Sequence, residues 1–490
     1  MSVKNEHEDY VEYKVSWEEI RDCVKGNSAI KKKGEKYLPK LSGHTAEDYQ
    51  RYQKRVKFFG ATGRALDGLH GNVFRKAAEQ SAEVSDNFAK SLKDVDLMGT
   101  SIEQFVSDLT YDCLQTNWGG ILVDYARGEE VRSLAEAEQQ GLRAYLKYYK
   151  AENVINWEYK TVNGKTQLTM VVLAEPYSEP DPKDRFTTKK WMKYRVLKLD
   201  PATKIYTQDA YDEKVSLDNP SEQDISIKMN GKPLNEIPFY PCPGFIPEKS
   251  MLYDLAQLNI QHYQDTADYN NGKHFTSIPT ALFIGVRPKI NETTNQEEPF
   301  YLGGSKAICL SNDTGAPIDA KYLEFTGAGM KTLAEGITHL EGQMAILGAH
   351  IIAAEKKGVE SPEALRIHRI GENGVLAAFV RNISDQVTKA CRMKGKWDGE
   401  NPVILEDWAI NFNTDYDFSD ESVQTLSILL TGRASGELPR YSVYMGAKML
   451  NLIPEQWDFD TFCAELEKDK NIIEPIDPPD LPKEKDGEEE

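Results

Sequence analysis

Two helical segments of similar length, separated by a region of short strands, constrain this 490-residue chain more than any other feature. The first predicted helix begins near Met251 and the second near Met330, and each is about 30 Å long at 1.5 Å per residue. Apolar residues in the second follow alternating three- and four-residue steps, the heptad pattern of helix-on-helix packing. The chain is therefore expected to be α+β, with a helix pair that flanks a small β-rich tip.

The residues of the two packing faces can be read from the spacing. On the first helix one face carries Leu252, Leu255, Leu258 and His262. On the second the seam consists of Met330, Leu333, Ile337, Leu340, Met344 and Leu347. The histidines His262 and His339 lie on helical faces, where a packing role is more common than metal ligation.

Upstream of the helix pair, the periodicity predicts first helices and then strands. The first forty residues are charged, and we expect them to be irregular. Helical patterns follow over 46–74, interrupted by glycines, and over 102–116, before a buried strand at 121–125. From about Ala144 to Ile237 the period changes to two, which predicts an antiparallel β region.

Downstream, the sequence predicts a long helix that begins at Ser361 and runs to about Met393. Ser361 is a good N-cap and Pro362 suits the first helical position, while Gly371 and Gly374 predict a bend. A strand-like piece is expected over 403–412. Helices are then expected from Glu421 and from Pro439, before a Pro-rich acidic tail.

The charge balance is −19, from 78 acidic and 59 basic residues. This argues against a nucleic-acid binder of the usual basic kind. The charge is unevenly distributed, because the last twenty residues hold eight acids and two lysines. Between Ser361 and Gly395, by contrast, three acids accompany six cations, namely Arg366, Arg369, Arg381, Lys389, Arg392 and Lys394.

Signals for export, membrane insertion and disulfide formation are weak. The N-terminus is charged and has no apolar run typical of a secretory signal. The least polar stretch, Met344 to Ala354, has eleven residues, whereas a membrane span needs about 20. The six cysteines form no CxxC pair, so we expect reduced, mostly buried thiols in a protein made in a cytoplasm.

The chemical motifs do not assemble an enzyme. Asn163-Gly164-Lys165-Thr166 contains GKT, but the glycine that a phosphate loop requires is replaced by Tyr159, and a hairpin turn is favoured. Asp415, Asp417 and Asp420 have a spacing that suits either a divalent cation or a turn that caps the next helix. We expect no catalytic residues, no cofactor and no structural metal.

The order of elements resembles the portal proteins of tailed bacteriophages, in particular a portal-like group catalogued as a domain of unknown function. The resemblance covers roughly residues 33 to 465. It is carried by the local sequences Lys33–Leu41, Phe58–Leu69, Gly71–Arg75, Trp118–Tyr125 and Leu258–Tyr269, as well as by the helix–tip–helix order.

This resemblance implies a portal-type ring, usually of twelve subunits, at one capsid vertex. It divides the chain into an α/β wing (1–245), stem helix 1 (246–274), a small α/β clip (275–326), stem helix 2 (327–349), a tunnel loop (350–360), a long kinked helix with a return to the wing (361–420), a short helical crown (421–468) and a disordered acidic tail (469–490). The short C-terminal region departs from larger portals.

The resemblance also implies partners and site residues. Double-stranded DNA would pass through the channel, where Lys356, Lys357 and Gly358 of the tunnel loop would lie closest to it. Terminase, an adaptor or head-completion protein, the major capsid protein and the scaffold would contact the ring. The protein would act in the virion after synthesis in the host bacterial cytoplasm, without a membrane.

Ring formation would explain why α-helical segments 251–268 and 330–349 each carry an apolar face. In a monomer they would expose an unusually large apolar surface, so we expect neighbouring subunits to bury Leu252, Leu255, Leu258, Leu333, Ile337, Leu340 and Met344. Two alternatives remain open. One is a different virion component, such as a head–tail adaptor or a minor capsid protein; the other is a cytoplasmic enzyme with an unrecognised site.

Overall fold

The computed structural model describes residues 2–126, 141–162, 164–229, 231–276, 280–284, 319–323, 328–352, 362–414, 421–449, 453 and 457–470. The chain divides into two compact units, Met1–Tyr416 and Asp417–Glu490. Helices and antiparallel sheets both contribute to the first unit, so the α+β class is confirmed.

The N-terminal segment is helical, and the expectation of an irregular segment was wrong. Helix α1 spans Glu8–Lys25 and α2 spans Asn27–Lys33. On α1, Trp17, Ile20 and Cys23 are buried. These residues recur at three-residue steps and form one apolar face among many charges, which is the pattern of a half-buried helix.

The helical run predicted over 46–74 is two helices, α3 (Ala46–Arg55) and α4 (Ala61–Val73). The break falls at Gly60, one of the glycines expected to interrupt it. Gly63 permits close packing, since a Cβ placed there would lie 3.3 Å from the carbonyl oxygen of Val24 on α1.

A short strand β1 (Glu79–Gln80) and helix α5 (Asp86–Ser91) lead into α6, Ile102–Thr116, which matches its predicted bounds. Strand β2 (Gly119–Tyr125) follows and pairs with β3 (Ala144–Lys150). Ring stacking joins this region to α1. Trp118 lies 6.2 Å from Trp17 and 4.3 Å from Trp157 between ring centroids, and all three are buried.

The β region is confirmed as an antiparallel sheet of five strands in sequential order. Its strands are β4 (Val154–Val162), β5 (Lys165–Asp181), β6 (Asp184–Leu199), β7 (Tyr206–Asp212) and β8 (Glu222–Ser226). The two longest strands continue past their outer neighbours. Short strands β9 (Lys228–Met229) and β10 (Lys232–Pro233) precede β11 (Phe239–Cys242), which pairs with β2.

Three long helices follow. Helix α7 spans Tyr253–Thr276, α8 spans Ala328–Ile352 and α9 spans Pro362–Trp397. Between α7 and α8, strands β12 (Thr280–Ile284) and β13 (Asp319–Leu323) form an antiparallel pair. The three helices and the strand near Ala281 were predicted. The other strand expected in this region, 306–310, lies outside the described residues, and β13 was not named in advance. Helix α9 is continuous in its hydrogen bonding, and the bend expected near Gly371 and Gly374 stays a prediction.

The region 403–412 is mostly helical rather than strand-like. Helix α10 spans Pro402–Asp407 and only β14, Ile410–Asn411, is extended, pairing with β1. The reason is local: the Asn401 side chain caps the first turn by accepting the Val403 N–H at 3.0 Å, and Pro402 stands at a favoured helical start.

The C-terminal unit contains α11 (Glu421–Ala434), α12 (Arg440–Met449) and α13 (Phe459–Lys470). The first two were predicted and the third was not. Tyr444 holds α12 to α13, because its hydroxyl donates to the carbonyl oxygen of Trp457 at 2.8 Å and its ring contacts Phe459 and Phe462.

Candidate functional site

The candidate site is the helix pair α7–α8 together with α9, the region to which the sequence assigns assembly and the channel. The two helices of the pair run antiparallel: His262 lies opposite Glu341, and Gly272 lies opposite Met330. The strand pair β12–β13 connects to their far ends, in agreement with the predicted helix–tip–helix order.

Helix α7 is fixed to the N-terminal helices by polar side chains. Asn259 is fully buried; its amide donates to the carbonyl oxygen of Phe59 at 2.6 Å and accepts hydrogen bonds from Thr62. One turn further along α7, Gln264 donates to the carbonyl oxygen of Tyr37 at 2.9 Å. The sequence analysis missed these contacts, because an Asn or Gln within a helix gives no signal of a partner some 200 residues away.

Further contacts extend this attachment toward the tip. The Tyr52 hydroxyl of α3 donates to Asp268 at 2.5 Å. Burial, with a contribution from this carboxylate, raises the pKa of Tyr52 above its ordinary value. Burial, followed by the charge of Asp268, also raises the pKa of Asp265. The first four turns of α7 are therefore attached to the N-terminal helical region.

His262 is a packing histidine, as expected from its position. Only 5% of its surface is exposed; its Nε2 lies 3.2 Å from Oε1 of Glu341, and its ring packs beside Phe59. Its Nδ1 is buried without a hydrogen-bond partner in the described part of the chain. His339, in contrast, is exposed on α8.

The apolar faces of α7 and α8 are covered within the protomer. Leu252 and Leu255 are 0% and 1% exposed, and Leu340 and Met344 are 6% and 3% exposed. Leu258, Leu333 and Ile337 are half-buried. The buried four have their cover within the protomer, where α7 and α8 pack on each other and on α4. Burial of the half-buried three by a neighbouring subunit stays a prediction.

Helix α9 returns to the first part of the chain and packs on the sheet formed by β11, β2 and β3. Val380, Ile383 and Val387 are buried there. Two cations of its basic end have structural partners. Arg392 donates to the carbonyl oxygens of Trp408 and Glu406, each at 2.8 Å, and Lys394 is fully buried against Asp398 at 2.6 Å.

The predicted channel residues Lys356, Lys357 and Gly358 lie outside the described residues, as does most of the segment assigned to the clip. Helix α8 ends at Ile352 and α9 begins at Pro362, so nine residues connect the two helices. The candidate cation ligands Asp415, Asp417 and Asp420 also lie outside the described residues.

The GKT sequence has a structural role. Gly164, with φ of 76°, follows the β4 strand, and Thr161 and Thr166 pair by their hydroxyls at 3.1 Å, so the GKT sequence is confirmed as a hairpin. Within the described ranges no three His, Cys, Asp or Glu side chains are grouped to hold a metal ion. None of the helices described combines the length and hydrophobicity that a membrane crossing requires.

The cysteines of the described part are free. Cys23, Cys113, Cys242 and Cys391 are buried and Cys463 is half-buried, as the sequence predicted. Burial raises the pKa of the Cys113 thiol to about 12 and that of Cys391 to about 12. These thiols are protonated at neutral pH, which argues against a role as nucleophiles.

The first 245 residues also contain buried ion pairs that the sequence did not reveal. Arg21 of α1 holds Asp112 of α6 with two hydrogen bonds of 2.8 and 2.9 Å and also contacts Glu152. Burial alone would raise the pKa of Asp112, but the hydrogen bonds and charge of Arg21 hold it below the ordinary value. A second such group joins Arg195 to Asp124 and Glu175.

Comparison with known proteins gives one family match. A model described as a domain of unknown function, DUF4055, matches residues 251–398, from the start of α7 to the end of α9. A solved structure described as the neck of an empty GTA particle computed with C6 symmetry has a chain with a TM-score of 0.33 and 12% identity; the alignment covers 88% of this chain and 99% of that one. No curated protein matches.

Proposed function

We propose that this protein is a portal subunit that forms a ring, of twelve copies, around a channel for double-stranded DNA at one vertex of a phage capsid. The observation that carries the proposal is the connection of four parts. These are a wing, an antiparallel helix pair fixed to that wing, a strand pair at the far end of the helices, and the 36-residue α9, which returns to pack on the wing.

The attachment of α7 supports a stem rather than a mobile arm. The buried amide of Asn259 makes three hydrogen bonds, and Gln264 and Asp268 each add one further along α7. Together these contacts fix the direction in which the helix pair leaves the wing. A ring that surrounds a moving polymer needs this rigidity, because each subunit must present its helices at the same angle to the axis.

The distribution of charge supports a conduit. Each phosphate that a cation neutralises adds salt-dependent affinity, so a wall rich in cations would hold the DNA in place. The chain carries −19 overall, and Arg392 and Lys394 on α9 are engaged within the protomer. In this proposal Lys356 and Lys357, in the nine-residue connection with Gly358, supply the contacts to passing phosphates.

The proposal assigns the remaining contacts by position. The region between α7 and α8 meets the adaptor or head-completion protein and, during packaging, the terminase. The wing meets the major capsid protein and, during assembly, the scaffold. The chain performs no catalysis and resides in the virion after synthesis in the bacterial host.

The first experiment is a measurement of mass on the purified full-length chain. Twelve copies of 55.4 kDa give about 665 kDa. Mass photometry should show a species of this size, or of a neighbouring subunit number, and negative-stain images should show a ring. A monomer or dimer under all salt and concentration conditions contradicts the proposal.

The second experiment tests the channel residues. Lys356→Glu with Lys357→Glu should leave the ring intact but reduce DNA packaging or retention in particles. The control is Lys25→Glu with Lys32→Glu, which makes the same charge change at two exposed wing positions. Normal genome filling by the first double variant contradicts the assigned contact.

A further inference from the structure

Strands β5 and β6 extend beyond the five-stranded sheet as a two-stranded ribbon, residues 176–192. Strand β4 pairs with β5 only as far as Leu173, and β7 pairs with β6 only from Lys193. At the tip of this ribbon, Phe186 is 96% exposed, the highest value among the large hydrophobic side chains described.

The ribbon is stiffened by side-chain contacts although it lacks neighbouring strands. Lys189 pairs with Asp181 across the two strands at 3.0 Å. The Tyr177 hydroxyl donates to Asp212 of β7 at 2.7 Å, and Lys214 contacts Glu179 at 2.6 Å. A two-stranded ribbon alone is marginally stable in water, so these contacts hold Phe186 in a defined position away from the sheet.

A pocket of about 210 Å³ lies near the opposite end of the same sheet. Its apolar walls include Leu168, Leu199, Ile237, Phe239 and Phe245. The volume is below the 300–1,000 Å³ or so of a typical small-molecule site and suits one large side chain.

The pocket also contains a polar group. Gln386 of α9 lines it and is 8% exposed. Its amide faces an open pocket, so it can form hydrogen bonds with a backbone group that enters. Tyr159, whose hydroxyl donates to the Phe245 carbonyl oxygen at 3.3 Å, fixes one wall.

The ribbon tip cannot reach the pocket of its own chain. Leu168 lines the pocket and Asp181 ends β5, so thirteen residues of strand separate them, about 40 Å at 3.3 Å per residue. An apolar side chain at one end of a subunit and a matching pocket at the other end favour a head-to-tail contact between copies, the kind that closes into rings.

Charges around the two features are complementary. Lys183 and Asp184 precede Phe186 at the tip, and Glu236 and Lys389 line the pocket. No ion pair within the described part of the chain involves any of these four side chains. The Asp184 carboxylate also accepts hydrogen bonds from the Phe186 N–H and the Thr187 hydroxyl. A tip that enters the pocket can place Lys183 near Glu236 and Asp184 near Lys389, which favours one orientation of the partner.

We propose that Phe186 of one copy inserts into the pocket lined by Leu168, Phe245 and Gln386 of the next copy, and that this contact links the wings around the ring. The inference rests on the proposed function, since it names the contact by which portal subunits associate. Its occupant is a second copy of this chain.

Cross-linking tests the contact directly. Thr188→Cys, exposed two residues beyond Phe186, and Gln167→Cys at the pocket, combined in one full-length chain that keeps Phe186 and treated with a short bis-maleimide, should give a ladder of covalent dimers, trimers and larger species on a denaturing gel. Each single variant is the control, because Cys463 and other native thiols are then present without the pair. A ladder no stronger than in the single variants overturns the contact.

Assembly measurements provide the second arm. Phe186→Ala should raise the protein concentration needed for ring formation at least tenfold, as expected for an aromatic anchor. The matched control is Met98→Ala, at a side chain that is 86% exposed, and it should assemble like the wild type. Unchanged assembly of Phe186→Ala overturns the inference.

The outcomes separate the two proposals. Wild-type rings without a specific ladder overturn the tip-and-pocket contact and leave the portal proposal standing. A specific ladder from the double-cysteine variant, together with a wild-type protein that never forms rings, supports the contact and contradicts the portal proposal. Absence of both rings and ladder contradicts both.

Discussion

Asn259 on α7 caps the start of α4 by accepting the backbone N–H of Thr62 at 3.2 Å and its hydroxyl at 3.0 Å. The residue at the N-cap position of α4 is Gly60, which has no side chain to do this. A residue nearly 200 positions away in the chain therefore satisfies the free N–H group of the helix end. Helices α7 and α4 are thus joined by a buried polar contact.

Asn259→Ala should lower the free energy of unfolding by about 1–3 kcal/mol, because it removes the acceptor from the N–H and hydroxyl of the fully buried Thr62. Urea unfolding followed by tryptophan fluorescence measures the loss. Asn271→Ala, on the same helix, removes only a 3.4 Å contact with Arg55 and should change stability by less than about 0.5 kcal/mol. Equal effects of the two variants would contradict the capping role.

The pair formed by Arg21 and Asp112 should make wing stability depend on pH. The pKa of Asp112 lies below its ordinary value in the folded protein. A carboxyl with a lowered folded-state pKa stabilises the fold above its unfolded-state pKa, and this contribution disappears as the pH falls through the folded-state pKa. Arg21→Met should therefore cost about 3–5 kcal/mol at pH 7, and progressively less as the pH falls below 3.8, the ordinary pKa of an aspartate.

The measurement is urea unfolding of wild type and Arg21→Met across this pH range. Arg51→Met is the control, since Arg51 makes only an exposed contact with Glu47 at 3.6 Å. It should have little effect at any pH. A destabilisation by Arg21→Met that is the same at pH 3 and pH 7 would show that its charge does not act through Asp112.

The helix pair offers a matched comparison of two neighbouring apolar residues on α8. Met344 is 3% exposed and Ile346 is 58% exposed. Met344→Ala should create a cavity and cost about 2–5 kcal/mol, whereas Ile346→Ala should cost less than about 1 kcal/mol. If unfolding midpoints respond equally to both changes, the helix pair does not pack within the protomer as described.

The buried pair Lys394 and Asp398 on α9 should respond differently to single and double changes. Lys394→Met alone leaves Asp398, which is mostly buried, without its partner and should cost about 3–5 kcal/mol. Lys394→Met with Asp398→Leu should recover most of this loss, because the uncompensated charge is gone. A double variant less stable than Lys394→Met would contradict this account.

Local periodicity predicted much of this fold. Helix α6, the β4–β5 hairpin and helices α7, α8 and α9 all follow from apolar spacing and from turn or cap residues close in sequence. The principal error was at α1, where many charges obscured the apolar face of Trp17, Ile20 and Cys23.

Contacts between distant residues could not be predicted in the same way. The partners of Asn259 and Arg21 are defined by packing rather than by spacing, and a single sequence contains no signal that pairs Arg21 with Asp112. The apolar seam shows the converse problem. Its heptad pattern predicted packing between helices correctly, but did not distinguish a partner in the same chain from one in a neighbouring subunit.

The central claim is that copies of this chain surround a channel for DNA. A single-particle reconstruction of the purified full-length protein tests it most directly. The account predicts a closed ring with an axial opening wide enough for a DNA duplex and with the α8–α9 connection at its wall. Monomers, dimers or an assembly without an axial opening would contradict it.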